Sequence, residues 1–131
     1  MHALVELDVL LPTHDAVVLM LPLTDATRGM VDAPFLARMP DRALLVNAAR
    51  GGVVDTDALL AELTSGRLRA VLDVTDPEPL PDDHPLWGAP GLLLTPHVGG
   101  FTEGRDDRAW AVARTNVAAV GRGEQPPNAV R

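Results

Sequence analysis

The 131-residue sequence predicts an α/β fold, a doubly wound parallel sheet followed by one long C-terminal helix. Three observations carry that expectation. Four short apolar runs are evenly spaced, helical stretches with recognisable caps separate them, and none of the runs alternates polar with apolar. The runs are Ala16–Leu21, Ala43–Val46, Ala70–Leu72 and Leu92–Leu94. Unbroken apolar runs of this length suit strands buried on both faces of a parallel sheet. Asp32 can cap a helix that opens at Ala33-Pro34 and is stopped by Pro40. Asp55 can cap a second, with Leu59, Leu60 and Leu63 on one face and Gly66 ending it. Strand, helix, strand, helix is the order of right-handed βαβ units.

The remaining segments follow in turn. Residues 2–11 suggest a short helix with Leu4, Leu7, Leu10 and Leu11 inward, running straight into the first strand. From Pro77 to Pro90 the prolines, with Asp82, Asp83 and Gly88, predict an irregular loop. After the last strand a long helix opens at Thr102, and Trp110, Ala113, Val117 and Val120 recur at three and four residues as a buried stripe. Gly121 ends it, and the tail from Gly123 to Arg131 leads away from the sheet. The sequence divides into a partial α/β domain, residues 1–101, and a helix with its tail, residues 102–131. It holds no internal repeat and no low-complexity tract.

Composition removes several function classes. A hydrophobic content of 47% with 22% charged residues is ordinary for a globular chain and argues against disorder. The net charge of −7 repels a phosphate backbone, so no nucleic-acid partner is expected. All eleven cations are arginines, scattered rather than clustered, and read first as coding bias. Without cysteine there is no disulfide framework, thiolate metal site or cysteine nucleophile. No apolar run approaches the ~20 residues of a membrane span. Glu6 and Asp8 close behind Met1 are unlike a signal peptide, so a soluble cytoplasmic chain is expected. No metal site is expected either: His-x-His and His-x-x-x-His pairs are missing, and Asp82-Asp83 and Asp106-Asp107 read as solvated. The only serine, Ser65, precedes a helix-ending glycine and lacks the setting of a nucleophile elbow.

Three segments carry chemistry: Asn47-Ala48-Ala49-Arg50-Gly51-Gly52, Leu72-Asp73-Val74-Thr75-Asp76-Pro77-Glu78-Pro79-Leu80 and Thr95-Pro96-His97-Val98-Gly99-Gly100. Each sets one ionisable side chain just past an apolar run: Arg50, Glu78 and His97. In an α/β sheet ligands sit beyond the carboxyl ends of the strands, so these three gather on one edge whatever the strand order. Arginine offers a planar fork for a carboxylate. Histidine exchanges a proton near neutral pH. A carboxylate beside it fixes one tautomer and favours the protonated ring. Singly, each residue has a plainer reading: a surface arginine before a Gly-Gly turn, a solvated glutamate between prolines, a strand-end histidine bonded to backbone. Together, at three strand ends, they suit redox chemistry of a 2-hydroxy or 2-oxo acid. His2, His14 and His84 lack such company and read as structural or exposed.

In order and character these segments resemble the active-site segments of the D-isomer-specific 2-hydroxyacid dehydrogenases. The resemblance extends to Leu21-Pro22-Leu23-Thr24 with Thr27-Arg28-Gly29, to Val54-Asp55, and to His84-Pro85-Leu86-Trp87. It implies His97 as the general acid that protonates the substrate carbonyl, Glu78 as its hydrogen-bond partner, and Arg50 as the group that binds the substrate carboxylate. It implies that Asp73 meets the nicotinamide carboxamide. Leu21, Pro22, Thr27, Ala48, Ala49, Gly99 and Gly100, together with Arg50, Asp73 and His97, would line a cleft for NAD, with NADP left open. The implied partner is a small 2-hydroxy or 2-oxo acid, with phosphoglycerate and glycerate dehydrogenases among the likenesses, and a full-length relative is expected to be a homodimer.

By the same resemblance the chain reads as the second half of a Rossmann-type NAD-binding domain, with the glycine-rich first half and the substrate domain missing. Gly121-Arg122-Gly123 does not replace that fingerprint: Pro126 holds the third glycine position, and the triplet follows a helix where the motif should open one. A strand edge and a helix face are then expected to lie uncovered. Thr75 stands where the family commonly has an aromatic residue. Two readings share every residue: a dehydrogenase that carries the catalytic groups, and a non-catalytic remnant or interaction module that binds no cofactor.

Overall fold

The computed structural model of the chain describes residues 6–129, so Leu4 of the opening helix lies outside the described residues. The chain divides into two compact units, Met1–Val98 and Gly99–Arg131.

The first unit runs α1 (Leu7–Leu10), β1 (Ala16–Leu19), α2 (Ala33–Arg38), β2 (Leu44–Asn47), α3 (Thr56–Thr64), β3 (Arg69–Leu72) and β4 (Leu92–Leu94). Short 3-10 turns at Leu11–Thr13, Gly51–Val53 and Pro85–Gly88 link them. α1 is short because Pro12 tightens the chain into the first of these turns. Leu7 and Leu11 nevertheless pack on the core, as the opening pattern requires. The proline-rich connection is irregular apart from a hydrogen-bonded turn at Pro81–His84 and the 3-10 turn at Pro85–Gly88.

The four strands form one parallel sheet in the order β1-β2-β3-β4. Register sets Leu19, Asn47, Leu72 and Leu94 in one row, and Val18, Val46, Val71 and Leu93 in the next. Neighbouring rows point to opposite faces of the sheet. Leu19, Leu45, Asn47, Ala70 and Leu72 are buried among Phe35, Leu36, Leu59 and Leu63. On the other face Val18 and Leu93 are 59% and 57% exposed. The expectation of strands buried on both faces is therefore corrected. Each crossover steps in the same direction along the sheet, and right-handed crossovers stepping one way all fall on one face.

Both predicted helix caps form. Asp32 Oδ1 accepts from the Phe35 N–H at 2.9 Å, and Asp55 Oδ1 from the Ala58 N–H at 3.0 Å. Gly66, at φ +74°, takes the left-handed turn that ends α3. Arg67 then does what no motif announced. Its guanidinium donates to the Met39 carbonyl at 2.8 Å and the Leu36 carbonyl at 2.6 Å, at the C-terminal end of α2, and to Glu62 on α3. The Leu36 carbonyl also accepts from the Met39 N–H at 3.1 Å, so Arg67 adds a second donor there, gives the Met39 carbonyl a partner and ties α2 to α3. The Glu62 hydrogen bond holds the guanidinium above its ordinary value, against a smaller effect of burial.

In the second unit α4 spans Arg105–Gly121. It opens three residues later than Thr102 because Gly104 turns left-handed at φ +68°. Thr102 stays outside and accepts from the Arg108 guanidinium at 2.7 Å. The expected buried stripe is also corrected. Trp110, Val117 and Val120 are 64%, 72% and 61% exposed, while Ala119 is buried and Ala113 and Asn116 half-buried. Helical spacing puts side chains on one face; whether that face is covered depends on what lies against it. Among the described residues no helix is long and apolar enough to cross a membrane.

Replacing Arg67 by alanine is expected to cost about 2 kcal/mol, since it strands the Met39 carbonyl and the Glu62 carboxylate and leaves the Leu36 carbonyl with the Met39 N–H as donor. A raised cationic pKa stabilises the fold below its ordinary value and loses that effect only at the alkaline extreme. Urea unfolding at about pH 6 and at about pH 9 should therefore show the same loss.

Candidate active site

The hydrogen-bond ladder does not stop where the strands end. The Asp73 N–H donates to the Asn47 carbonyl at 3.0 Å, and the Thr95 N–H to the Leu72 carbonyl at 2.9 Å. The three loops that carry Arg50, Glu78 and His97 therefore leave the sheet in register.

Asn47 organises the first loop. Among the described residues it is the one polar side chain in the buried set, 1% exposed. Its Oδ1 accepts from the Ala49 N–H and its Nδ2 donates to the Arg50 carbonyl, both at 3.0 Å. A buried amide bonded at both its oxygen and its nitrogen in this way closes a tight turn over its own strand end. The sequence signal was slight: an asparagine ending an apolar run before two small residues. Arg50 emerges exposed from this turn in extended backbone, with one guanidinium nitrogen donating to the Ala49 carbonyl at 2.6 Å. Leu21, Pro22, Ala48, Ala49 and Arg50, all singled out in the sequence, meet here with Met20 and Leu23 around a cleft of about 480 Å³.

His97 is held from two sides. Its own backbone is left-handed, φ +54°, a conformation uncommon outside glycine. Asp73 brackets it: Oδ1 accepts from the Thr95 hydroxyl at 2.6 Å and from the Val98 N–H at 2.9 Å. The ring Nδ1 lies 2.7 Å from Glu78 Oε1. With Nδ1 so engaged, Nε2 is the ring atom left to exchange a proton with a ligand. Asp73, Thr75, Glu78, Trp87, Thr95 and His97 line a second cleft of about 430 Å³. The Trp87 indole is fixed across it by donating to the Pro81 carbonyl at 2.7 Å.

Other sequence-predicted residues have different places. The Thr27 hydroxyl donates to the Pro22 carbonyl at 2.7 Å and accepts from the Thr24 N–H at 2.8 Å, so it braces the loop after β1. Gly99 and Gly100 belong to the second unit. His84 accepts from the Leu86 N–H at the start of its 3-10 turn, and His14 lies on the Leu10 carbonyl at 2.7 Å. His2 lies outside the described residues. Among the described residues no three histidine, cysteine or acidic side chains converge to hold a metal ion.

Comparison with known proteins shows the family and the fold. The family model described as D-isomer specific 2-hydroxyacid dehydrogenase, NAD binding domain, matches residues 1–99. The chain belongs to this family. It is 41% identical over 93% of its length to a glyoxylate reductase of Thermofilum pendens, and 37% identical over 89% to a human glyoxylate reductase/hydroxypyruvate reductase. It spans 36% of the length of each. Among solved structures, a D-isomer specific 2-hydroxyacid dehydrogenase from Xanthobacter autotrophicus in complex with NADPH and MES superposes with a TM-score of 0.89. It is 41% identical; all of this chain and 54% of that one are covered. As in that family, the fold here is α/β with a parallel, Rossmann-type sheet.

Removing the Asp73 carboxylate should release the His97 backbone. Asp73→Ala is expected to cost about 3 kcal/mol, two hydrogen bonds to a carboxylate at about 1.5 kcal/mol each. It should also let His97 relax to negative φ, read from its amide-to-α-proton coupling constant. An unchanged coupling would show that Asp73 does not hold the residue there.

Proposed function

We propose that the chain carries the catalytic strand-end loops of an NAD(P)-dependent oxidoreductase that interconverts a D-2-hydroxy acid and its 2-oxo acid. The observation that supports this most is the His97–Glu78 pair, on the same sheet edge as Arg50 and its apolar cleft. The cleft formed by Leu21, Pro22, Ala48 and Ala49 suits a flat, weakly polar ring, and Asp73 is the polar group we assign to the nicotinamide carboxamide. When bound, such a cofactor supplies a hydride to the carbonyl carbon or accepts it from the alcohol.

The residues of the chain do the rest. Arg50 binds the substrate carboxylate through donors not used on Ala49, which orients the carbonyl. His97 Nε2 gives a proton to the carbonyl oxygen as it becomes an alcohol, and takes it back in the reverse direction. Glu78 keeps a proton on Nδ1, so the ring presents the correct nitrogen. Trp87 and Leu80 supply apolar wall in the His97 cleft. The names of the relatives make glyoxylate and hydroxypyruvate the first substrates to try.

The test is a chimera in which this chain replaces the matching third of the Thermofilum pendens glyoxylate reductase, assayed with NADH and with NADPH. Turnover of a 2-oxo acid is expected. His97→Ala should lower kcat by about 10²–10⁴-fold, the usual worth of a positioned general acid. Arg50→Ala should act mainly on KM for the acid. Activity that survives His97→Ala, in a protein that folds, would overturn the assignment.

A further inference from the structure

The side chain of Glu78 can meet His97 only if the backbone before it is in the right place. That stretch, Thr75 to Pro77, crosses directly over Gly51. A Cβ built on Gly51 would fall on the Thr75 carbonyl group and only 2.6 Å from the Asp76 nitrogen. Gly51 lies in a 3-10 turn, with a φ any residue can adopt, so space is the constraint here. The crossing stretch is also tied down. The Thr56 hydroxyl, at the start of α3, donates to the Asp76 carbonyl at 2.9 Å, and the Thr75 hydroxyl donates to the Pro77 carbonyl at 2.9 Å. One residue later comes Glu78, with Oε1 on the His97 ring.

Gly52 is a natural contrast. A Cβ there would meet Asp76 Oδ2 at 3.2 Å, an Arg28 guanidinium nitrogen at 3.3 Å and Leu23 Cδ2 at 3.3 Å. All three are ends of flexible side chains that can move aside. Under Gly51 the obstacle is backbone, which cannot yield without carrying Glu78 with it.

We propose that Gly51 and Thr56 are positioning residues for the Glu78–His97 pair: Gly51 by leaving room for the crossing backbone, Thr56 by anchoring it. They act through Glu78 and touch no reacting atom. Gly51 directly follows Arg50, so the turn that presents the substrate-binding arginine also seats the partner of the proton donor. The His97 backbone is held separately by Asp73. Displacing the crossing stretch therefore moves Glu78 away from a histidine that stays where it is. This rests on the reading of Glu78 and His97 as the acid pair, but the contact itself can be tested without turnover.

The experiment is long-range proton–nitrogen NMR of the histidine rings in the 131-residue chain, above the pH at which His97 loses its second proton. With Glu78 in place the neutral ring keeps its proton on Nδ1. A ring without that partner favours Nε2, and Glu78→Ala supplies this reference spectrum. Gly51→Ala is expected to give the His97 spectrum of Glu78→Ala, and Thr56→Val to move part of the way towards it. Gly52→Ala should keep the wild-type spectrum, and in all of these variants the Val98 amide, which reports the Asp73 bracket, should not move. Should Gly51→Ala not fold, Thr56→Val decides, since it removes one exposed hydroxyl and adds no bulk. Wild-type His97 tautomers in a folded Gly51→Ala, or in Thr56→Val where that variant decides, would overturn the proposal. So would equal effects at Gly51 and Gly52. The shift of tautomer without any turnover in the chimera would leave the positioning role standing and remove the proposed reaction; turnover without the shift would do the reverse.

Discussion

Everything at the candidate site depends on the parallel ladder continuing one residue beyond the strands. The bonds from Asp73 to Asn47 and from Thr95 to Leu72 bring three loops off the sheet at the same height. Within that frame the buried Asn47 amide folds the first loop back over β2, and this fixes where Arg50 leaves the core. A parallel sheet supplies such an edge because all its strands end on the same side, so groups far apart in sequence arrive together. Arg50 and His97 are 47 residues apart along the chain, yet each stands only a few residues past its strand.

The second principle of the site is separate support for the two halves of one residue. The His97 backbone is left-handed, a state that costs a non-glycine residue of the order of 1 kcal/mol or more and persists only where the surroundings impose it. Asp73 imposes it by bonding on either side of the residue, at Thr95 and at Val98. The ring is oriented by a different carboxylate, Glu78, on a different stretch of loop. Backbone and ring are thus constrained independently, which gives the imidazole a defined position and a defined tautomer.

Much of this was legible in the sequence, and the reasons are local. Apolar runs marked all four strands, and Asp32 and Asp55 marked two helix starts because a short acidic side chain before a helix has one favourable use there. The strand-end placement of Arg50, Glu78 and His97 was legible because it follows from the fold class alone. What the sequence hid depends on approach in space. Strands that read as buried on both faces are covered on one, since the direction of the crossovers is not written in any single run. The stripe of α4 has helical spacing, but spacing does not say that Trp110 and Val117 are exposed. Arg67 read as one more scattered arginine, and Asn47 only as the first residue of the arginine segment. Gly51 read as half of a Gly-Gly turn, when its missing Cβ is what lets two loops cross.

In the proposed function, one sheet edge carries both a cofactor cleft and an acid-binding, proton-donating site. The most direct measurement is backbone chemical-shift mapping of the 131-residue chain, titrated first with NADH and then with oxamate, a 2-oxo acid mimic. Saturable shifts are expected at Ala48, Ala49 and Asp73 with NADH, followed by shifts at Arg50 and His97 with oxamate. A folded chain whose shifts fall elsewhere, or never saturate, would contradict the proposed function.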